Sequence, residues 1–297
     1  MKKRRRYIAW VFLTPSLILY LYFFVYPTIN GLRISLYNWS GFTVKMEYVG
    51  FKNFSKLIVD EVFLSSLKNT LILLIIGGLA IFLIAFVLSL ILNSGIRGKK
   101  VYRSIIFFPF IIGQIVHAIY WGLLVYSPKN GILNRFFELL HIAPLAKFTF
   151  LNYQHIFGSV LFVIIWINVG FYLVLLLAGI DRIPPYLYEA ARIEGANEFQ
   201  LFFKITLPLV KEVLTIAMIL WVIFAIKMFD ILYAFGGLWP PREIWTNAIY
   251  MYVMGFGKMT PIFELGYASA MGVIALFLVV IFAIIIRKSI RREVYEY

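Results

Sequence analysis

The chain has 297 residues, of which 62% are hydrophobic and 14% charged, with a formal net charge of +14. That charged fraction is too small to coat a soluble domain of this length, so long apolar runs read as membrane spans. There is no cysteine, which excludes a disulfide framework and a thiolate metal site. The positive charge sits beside apolar runs, as in the positive-inside bias of a membrane protein, and argues against nucleic-acid binding.

A helical span needs about 20 mostly apolar residues. Six segments qualify: 8–28, 71–92, 105–126, 160–180, 213–233 and 268–286. The first follows Lys2-Lys3-Arg4-Arg5-Arg6. Its length and the absence of a small-residue cleavage site mark an uncleaved helix rather than a secretory signal. With the N-terminus inside, the cytoplasmic segments carry 17 Lys and Arg and the longer outer loops 10. Both termini are therefore expected in the cytoplasm. The expected fold is an all-α polytopic membrane protein, one transmembrane domain over 1–297, in a bilayer. The outer loops are rich in aromatic residues, Gly and Pro.

The third predicted span contains His117, one of three histidines. None has metalloprotease spacing, and a lone membrane His is expected to be a hydrogen-bonded structural residue. Gly95-Ile96-Arg97-Gly98-Lys99-Lys100 fails the spacing of a phosphate-binding loop, so no ATP hydrolysis is expected of this chain. No catalytic motif, metal cluster or cofactor site is expected.

The fourth span offers Trp166, Asn168, Phe171 and Tyr172. The fifth carries Trp221, Phe224, Ala225 and Met228 at i, i+3, i+4 and i+7. An aromatic face with an amide suits a sugar ring, and ordinary helix packing would use the same residues. Lys227 and Asp230 are charges within the fifth predicted span. They read first as a mutual ion pair facing the bundle and second as contacts to an anionic substrate.

The loop 181–212 lies between these spans. It holds five of the chain's 14 acids: Asp181, Glu189, Glu194, Glu198 and Glu212. Pro184 and Pro185 suit a helix start. Leu187, Ala190, Ala191 and Glu194 then fall on one face. Gly195 suits a left-handed stop, and Asn197 with Gln200 a capping box for a second helix, striped by Phe199, Phe202 and Phe203. Pro208 ends that helix. Such a hairpin serves equally as an interfacial element on lipid or as a dock for a cytoplasmic partner.

Glu189-Ala190-Ala191, Gly195, Ile205, Leu207 and Pro208 resemble the E-A-A-x-x-x-G-x₉-I-x-L-P signature of binding-protein-dependent ABC importer permeases, matching at every specified position. Tyr26-Pro27, Ser35-Leu36-Tyr37-Asn38-Trp39, Tyr48 to Phe54, Asn69-Thr70 and Gly266 to Ala270 are similar to the first permease subunit of carbohydrate importers. One departure is Phe235-Gly236-Gly237-Leu238-Trp239-Pro240-Pro241, where that family often has Thr-x-Gly-Gly-Pro. The resemblance implies a type I importer fold of six spans with a coupling-helix hairpin between helices 4 and 5. It implies an ATPase dimer docked on that hairpin, a homologous second permease and an extracytoplasmic sugar-binding protein. It also places sugar contacts at Trp166, Ile167, Asn168, Phe171, Trp221, Phe224, Ala225 and Met228. The rival is a channel or ion-coupled carrier working alone, for which the single Lys227–Asp230 pair is slight support.

Overall fold

The computed structural model describes residues 2–93, 96–127, 131–237, 240–257 and 262–290. Among them the regular structure is helical apart from one short antiparallel pair, β1 (Tyr37–Asn38) with β2 (Glu47–Tyr48), in which Tyr37 faces Tyr48. Four unbroken helices are long and apolar enough to cross a bilayer: Trp10–Ile34, Glu61–Asn93, Ile156–Ile180 and Leu265–Ser289. Two bent pairs bring the number to six if each counts as one span: Lys99–Ile111 with Gln114–Val125, and Glu198–Leu209 with Lys211–Ile226.

The third and fifth spans correct the sequence reading. The third predicted span is not a single rod but turns through 91° between Ile111 and Gln114. Pro109 lies inside the first arm and Ile112 is extended; proline removes a backbone donor and crowds the preceding turn. The His117 ring donates from Nε2 to the Pro109 carbonyl at 2.8 Å, which ties the second arm to the end of the first. The fifth predicted span stops early, at Ile226. A short helix, Asp230–Phe235, follows a break at residues 227–229. The Met228 carbonyl exposed by that break accepts from the Thr246 hydroxyl at 3.0 Å, so the interruption leaves it satisfied.

The chain forms two compact units: residues up to Leu64 with Ile249–Phe277, and Ser65–Ala248 with the residues from Leu278 onward. In the first, Asn53 donates to the carbonyls of Ser35 and Tyr37 at 2.8 and 2.9 Å. The Gly266 N–H donates to the Trp39 carbonyl at 3.0 Å, and a Cβ on Gly266 would overlap the Tyr37 carbonyl. Asp60 caps the helix that begins at Glu61, accepting from the N–H groups of Val62 and Phe63. Its other oxygen accepts from the hydroxyls of Tyr250 and Tyr267, both at 2.6 Å. Burial pushes this carboxyl up, but the tyrosine and backbone hydrogen bonds outweigh it and hold its pKa below the usual carboxylate value.

In the second unit the helix Ile156–Ile180 is central. It buries 61% of its most apolar window, including Ile164, Leu173, Leu176 and Leu177. Within lipid there is little hydrophobic gain in bringing helices together, so close approach and interhelical hydrogen bonds decide the packing. Both are present. Gly170 lies against the backbone of Ile106 and Phe107, where a Cβ would overlap the Ile106 carbonyl. Trp221 donates from Nε1 to the Leu74 carbonyl at 2.8 Å. That carbonyl belongs to a π-helical turn, Leu73–Gly77, and Gly78 leaves the room that the indole fills.

Candidate functional site

Two places in the second unit concentrate polar groups. The first is the hairpin between the fourth and fifth spans. Pro185 opens a helix that ends at Ile193. Gly195 has φ +83°, a conformation that costs other residues about 1–2 kcal/mol. Asn197 and Gln200 exchange the two bonds of a capping box, each at 2.9 Å. The second helix starts at Glu198 and runs through a π-helical turn, Phe202–Thr206, to Leu209. Arg192 pairs with Glu198 across the turn at 3.1 Å. The hydroxyls of Tyr188 and Thr206 are 3.0 Å apart, and since Thr206 also reaches the Leu201 carbonyl, Tyr188 is the donor between them. Lys99 holds Asp181 at 3.2 Å at the hairpin's base.

The inward side of the hairpin is apolar. Leu187, Tyr188 and Ile205 pack on Ile180, Ile183 and Val210. The face expected from Leu187, Ala190, Ala191 and Glu194 is therefore split: Leu187 turns inward, Ala191 is half-buried, and Ala190 and Glu194 are exposed. Glu189 is exposed beside Ala190, Leu207 is half-buried and Pro208 is exposed. Ile193, at 87% exposed, Phe199 and Phe203 present apolar surface outward, with the two phenyl rings 4.4 Å apart. Glu189, Arg192 and Glu198 line a groove of about 720 Å³ with Asp181 and Tyr188.

The second place is a cavity of about 350 Å³, in the size range of small-ligand sites. Four of the eight residues expected at a sugar site line it: Asn168, Phe171, Phe224 and Met228. The other four do not. Ile167 and Ala225 are buried in the packing. Trp221 is committed to the Leu74 carbonyl. Trp166, 40% exposed, instead meets Trp121 and His117 edge to face.

The bent third span supplies what the sequence reading missed, Phe110 and Gln114. Phe110 stacks on Phe171 with centroids 4.7 Å apart and planes 22° apart. The signal was the bracket of Pro109 and Gly113 around the bend, with a lone amide just after it. Asn168 donates to the Ile164 carbonyl of its own helix at 2.7 Å, which leaves its carbonyl oxygen to the cavity.

Lys227 and Asp230 also line the cavity, and here the expected mutual ion pair is absent. Among the described residues the ion pairs are Lys99–Asp181 and Arg192–Glu198. The break at residues 227–229 explains the difference, because it removes the helical register that would have stacked the two side chains. Of the divergent segment after the fifth span, Leu238 and Trp239 lie outside the described residues.

Comparison with known proteins places this geometry. Residues 85–294 match the model of the binding-protein-dependent transport system inner membrane component family. The diacetylchitobiose uptake system permease protein NgcF of Streptomyces coelicolor is 31% identical over 288 residues, covering 93% of this chain and 80% of that protein. The trehalose/maltose transport system permease protein MalF of Thermococcus litoralis is 29% identical, covering 97% of this chain and 95% of its own. A chain of a bacterial ABC transporter that imports the acidic polysaccharide alginate shares the fold, with a TM-score of 0.78 at 23% identity over 96% of both chains. A family match over most of the chain, carried by a mainly helical multi-pass architecture with its hairpin between the fourth and fifth spans, identifies this chain as a member of the binding-protein-dependent transport system inner membrane components.

Proposed function

We propose that this chain is a single-domain permease subunit of an ATP-driven importer and passes a sugar across the cytoplasmic membrane. The observation that carries the reading is the cavity itself. Phe110, Phe171 and Phe224 offer apolar faces to a ring, while Asn168, Gln114 and the two charges offer hydrogen-bonding groups. Relatives named for diacetylchitobiose and for trehalose and maltose support the substrate class. In this reading the chain has no ATPase site of its own and works beside a homologous second permease. An extracytoplasmic binding protein delivers the sugar, and an ATPase dimer docks on the hairpin. Both termini are cytoplasmic, which puts the hairpin on the ATPase side.

Glu189, Ala190, Ala191, Gly195, Ile205, Leu207 and Pro208 divide the coupling work. Exposed Glu189 and Ala190 meet the ATPase, Gly195 makes the turn, and Ile205 anchors the hairpin on the spans. ATP-driven closure of the ATPase pair then moves the hairpin, and the permease changes the side to which the cavity opens.

The test is uptake of labelled disaccharides into vesicles holding the chain with its ATPase and binding protein. Uptake should require ATP. Glu189→Ala should reduce both ATPase co-purification and uptake: breaking a desolvated pair costs about 3–5 kcal/mol, against about 0.2–1 for an exposed one. Transport by the chain alone, without any ATPase, would establish the solitary-carrier reading instead.

A further inference from the structure

Lys227 and Asp230 put an ammonium and a carboxylate on the wall of one cavity. They lie three positions apart, both line the same cavity, and neither side chain has a protein partner among the described residues. Elsewhere in the same unit Lys99 is joined to Asp181 and Arg192 to Glu198. A charge placed in a membrane span is costly and persists where it faces a polar cavity and serves a ligand. The break at residues 227–229 opens the helix where these two would otherwise stack, and so keeps an ammonium and a carboxylate both available to one small volume.

We propose that Lys227 and Asp230 are the specificity-determining pair of this site and restrict it to sugars without net charge. This rests on the sugar reading above and adds the class of sugar. The ammonium has only donors to offer and the carboxylate only acceptors. A neutral ring satisfies both, one hydroxyl oxygen accepting from Lys227 and another hydroxyl donating to Asp230. These are charge-assisted bonds, stronger than neutral ones. A uronate or sugar phosphate gains from Lys227 but brings its charge against Asp230. An amino sugar gains from Asp230 and meets Lys227. In either case two like charges meet at contact distance, where their repulsion is strongest. The aromatic stack of Phe110 on Phe171 takes any ring face and does not discriminate. Discrimination by charge therefore falls to the pair.

The experiment measures equilibrium binding to the assembled permease–ATPase complex in nanodiscs. The soluble binding protein is left out, so that its own selectivity does not enter. The probes are labelled maltose, trehalose, cellobiose and diacetylchitobiose. The competitors are a glucuronate-containing disaccharide and an unacetylated glucosamine disaccharide. Wild type should bind at least one neutral probe and resist both competitors. Lys227→Gln and Asp230→Asn should each weaken the neutral probe by about tenfold, the loss of one hydrogen bond to a charged group. They should then diverge: Asp230→Asn admits the glucuronate competitor, and Lys227→Gln admits the glucosamine competitor. General damage to the site cannot move the two competitors in opposite directions. Wild-type binding that favours a charged sugar, or variants that leave both competitors unchanged or shift them together, overturns the pair's role while leaving a sugar site intact. Binding of none of these sugars overturns the sugar reading itself, and the pair's assignment with it.

Discussion

The hairpin and the cavity belong to one compact unit and treat their polar groups in opposite ways. In the hairpin, Arg192 is paired with Glu198, Tyr188 with Thr206, and Asn197 with Gln200. Each partner lies within 20 residues in sequence, so the hairpin carries its own conformation as a finished part. The cavity draws its walls from three separate segments and leaves Lys227, Asp230 and the Asn168 carbonyl uncommitted. A part that transmits motion needs internal bonds that do not open when a partner docks. A site that holds cargo needs unspent donors and acceptors and a rigid frame to keep them apart. Here that frame is backbone packing at Gly170 and the indole of Trp221, neither of which reaches the cavity.

The comparison breaks most severely at Gly170. Gly170→Val forces the backbone of Ile106 and Phe107 away, and with it Phe110, which stacks on Phe171. Overpacking at a helix contact of this kind costs about 3 kcal/mol. Thermal unfolding in detergent should drop accordingly and sugar binding should be lost. The capping box and Arg192–Glu198 should survive, seen as unchanged proteolytic resistance of the hairpin. Simultaneous loss of both regions would show that hairpin and cavity are one cooperative piece. Trp221→Phe is the milder version. It keeps an aromatic side chain but loses the pyrrole part of the indole with its N–H, so the buried Leu74 carbonyl loses its partner at a cost of about 2 kcal/mol. Unfolding temperature should fall while Kd for sugar changes little. A selective loss of affinity would put Trp221 in contact with the ligand.

The two regions also differ in how far the sequence reveals them, for the same physical reason. Hairpin interactions are local, so Pro185, Gly195 and the Asn197–Gln200 pair announce themselves at fixed spacing, and the structure has the turn and the capping box where that spacing puts them. The helix face is not legible in the same way, because Leu187 and Ala190 turn different ways according to what the helix packs against. The cavity is set by long-range contacts. Periodicity put Trp221 and Phe224 on one face, yet only Phe224 reaches the opening, since Gly77 and Gly78 on another helix capture the indole. Hydropathy found the apolar segments but counted the third and fifth as straight, because a bend at residues 112–113 and a break at 227–229 leave composition unchanged.

A carboxylate in the other compact unit sharpens the contrast with Asp230. Asp60 accepts four hydrogen bonds, and its pKa is lowered. A lowered folded-state pKa means that its contribution is fully present above the unfolded value of about 3.9 and is lost as pH falls through the folded value. Asp60→Asn should therefore cost about 1 kcal/mol at neutral pH, a figure reduced by the group's partial exposure. The gap in unfolding temperature between variant and wild type should close on acidification below about pH 4. A gap independent of pH would mean that Asp60 acts through packing and not through its charge.

The smallest effect is expected where the hairpin looks most firmly pinned. Arg192 and Glu198 are 3.1 Å apart, but their side chains are 56% and 82% exposed. Water already solvates both groups well, and holding two long side chains in one geometry has an entropic cost that offsets much of the attraction. Glu198→Gln should lower the unfolding free energy by about 0.5 kcal/mol or less, and added salt should erase the difference. The backbone start of that helix should persist, because the capping bonds of Asn197 and Gln200 do not involve the Glu198 side chain. If Glu198→Gln instead cut ATP-dependent uptake severely without changing stability, the carboxylate would be working at the docked interface, where the partner's surface excludes the water that screens it. The hairpin would then, like the cavity, hold a charge in reserve for something it binds.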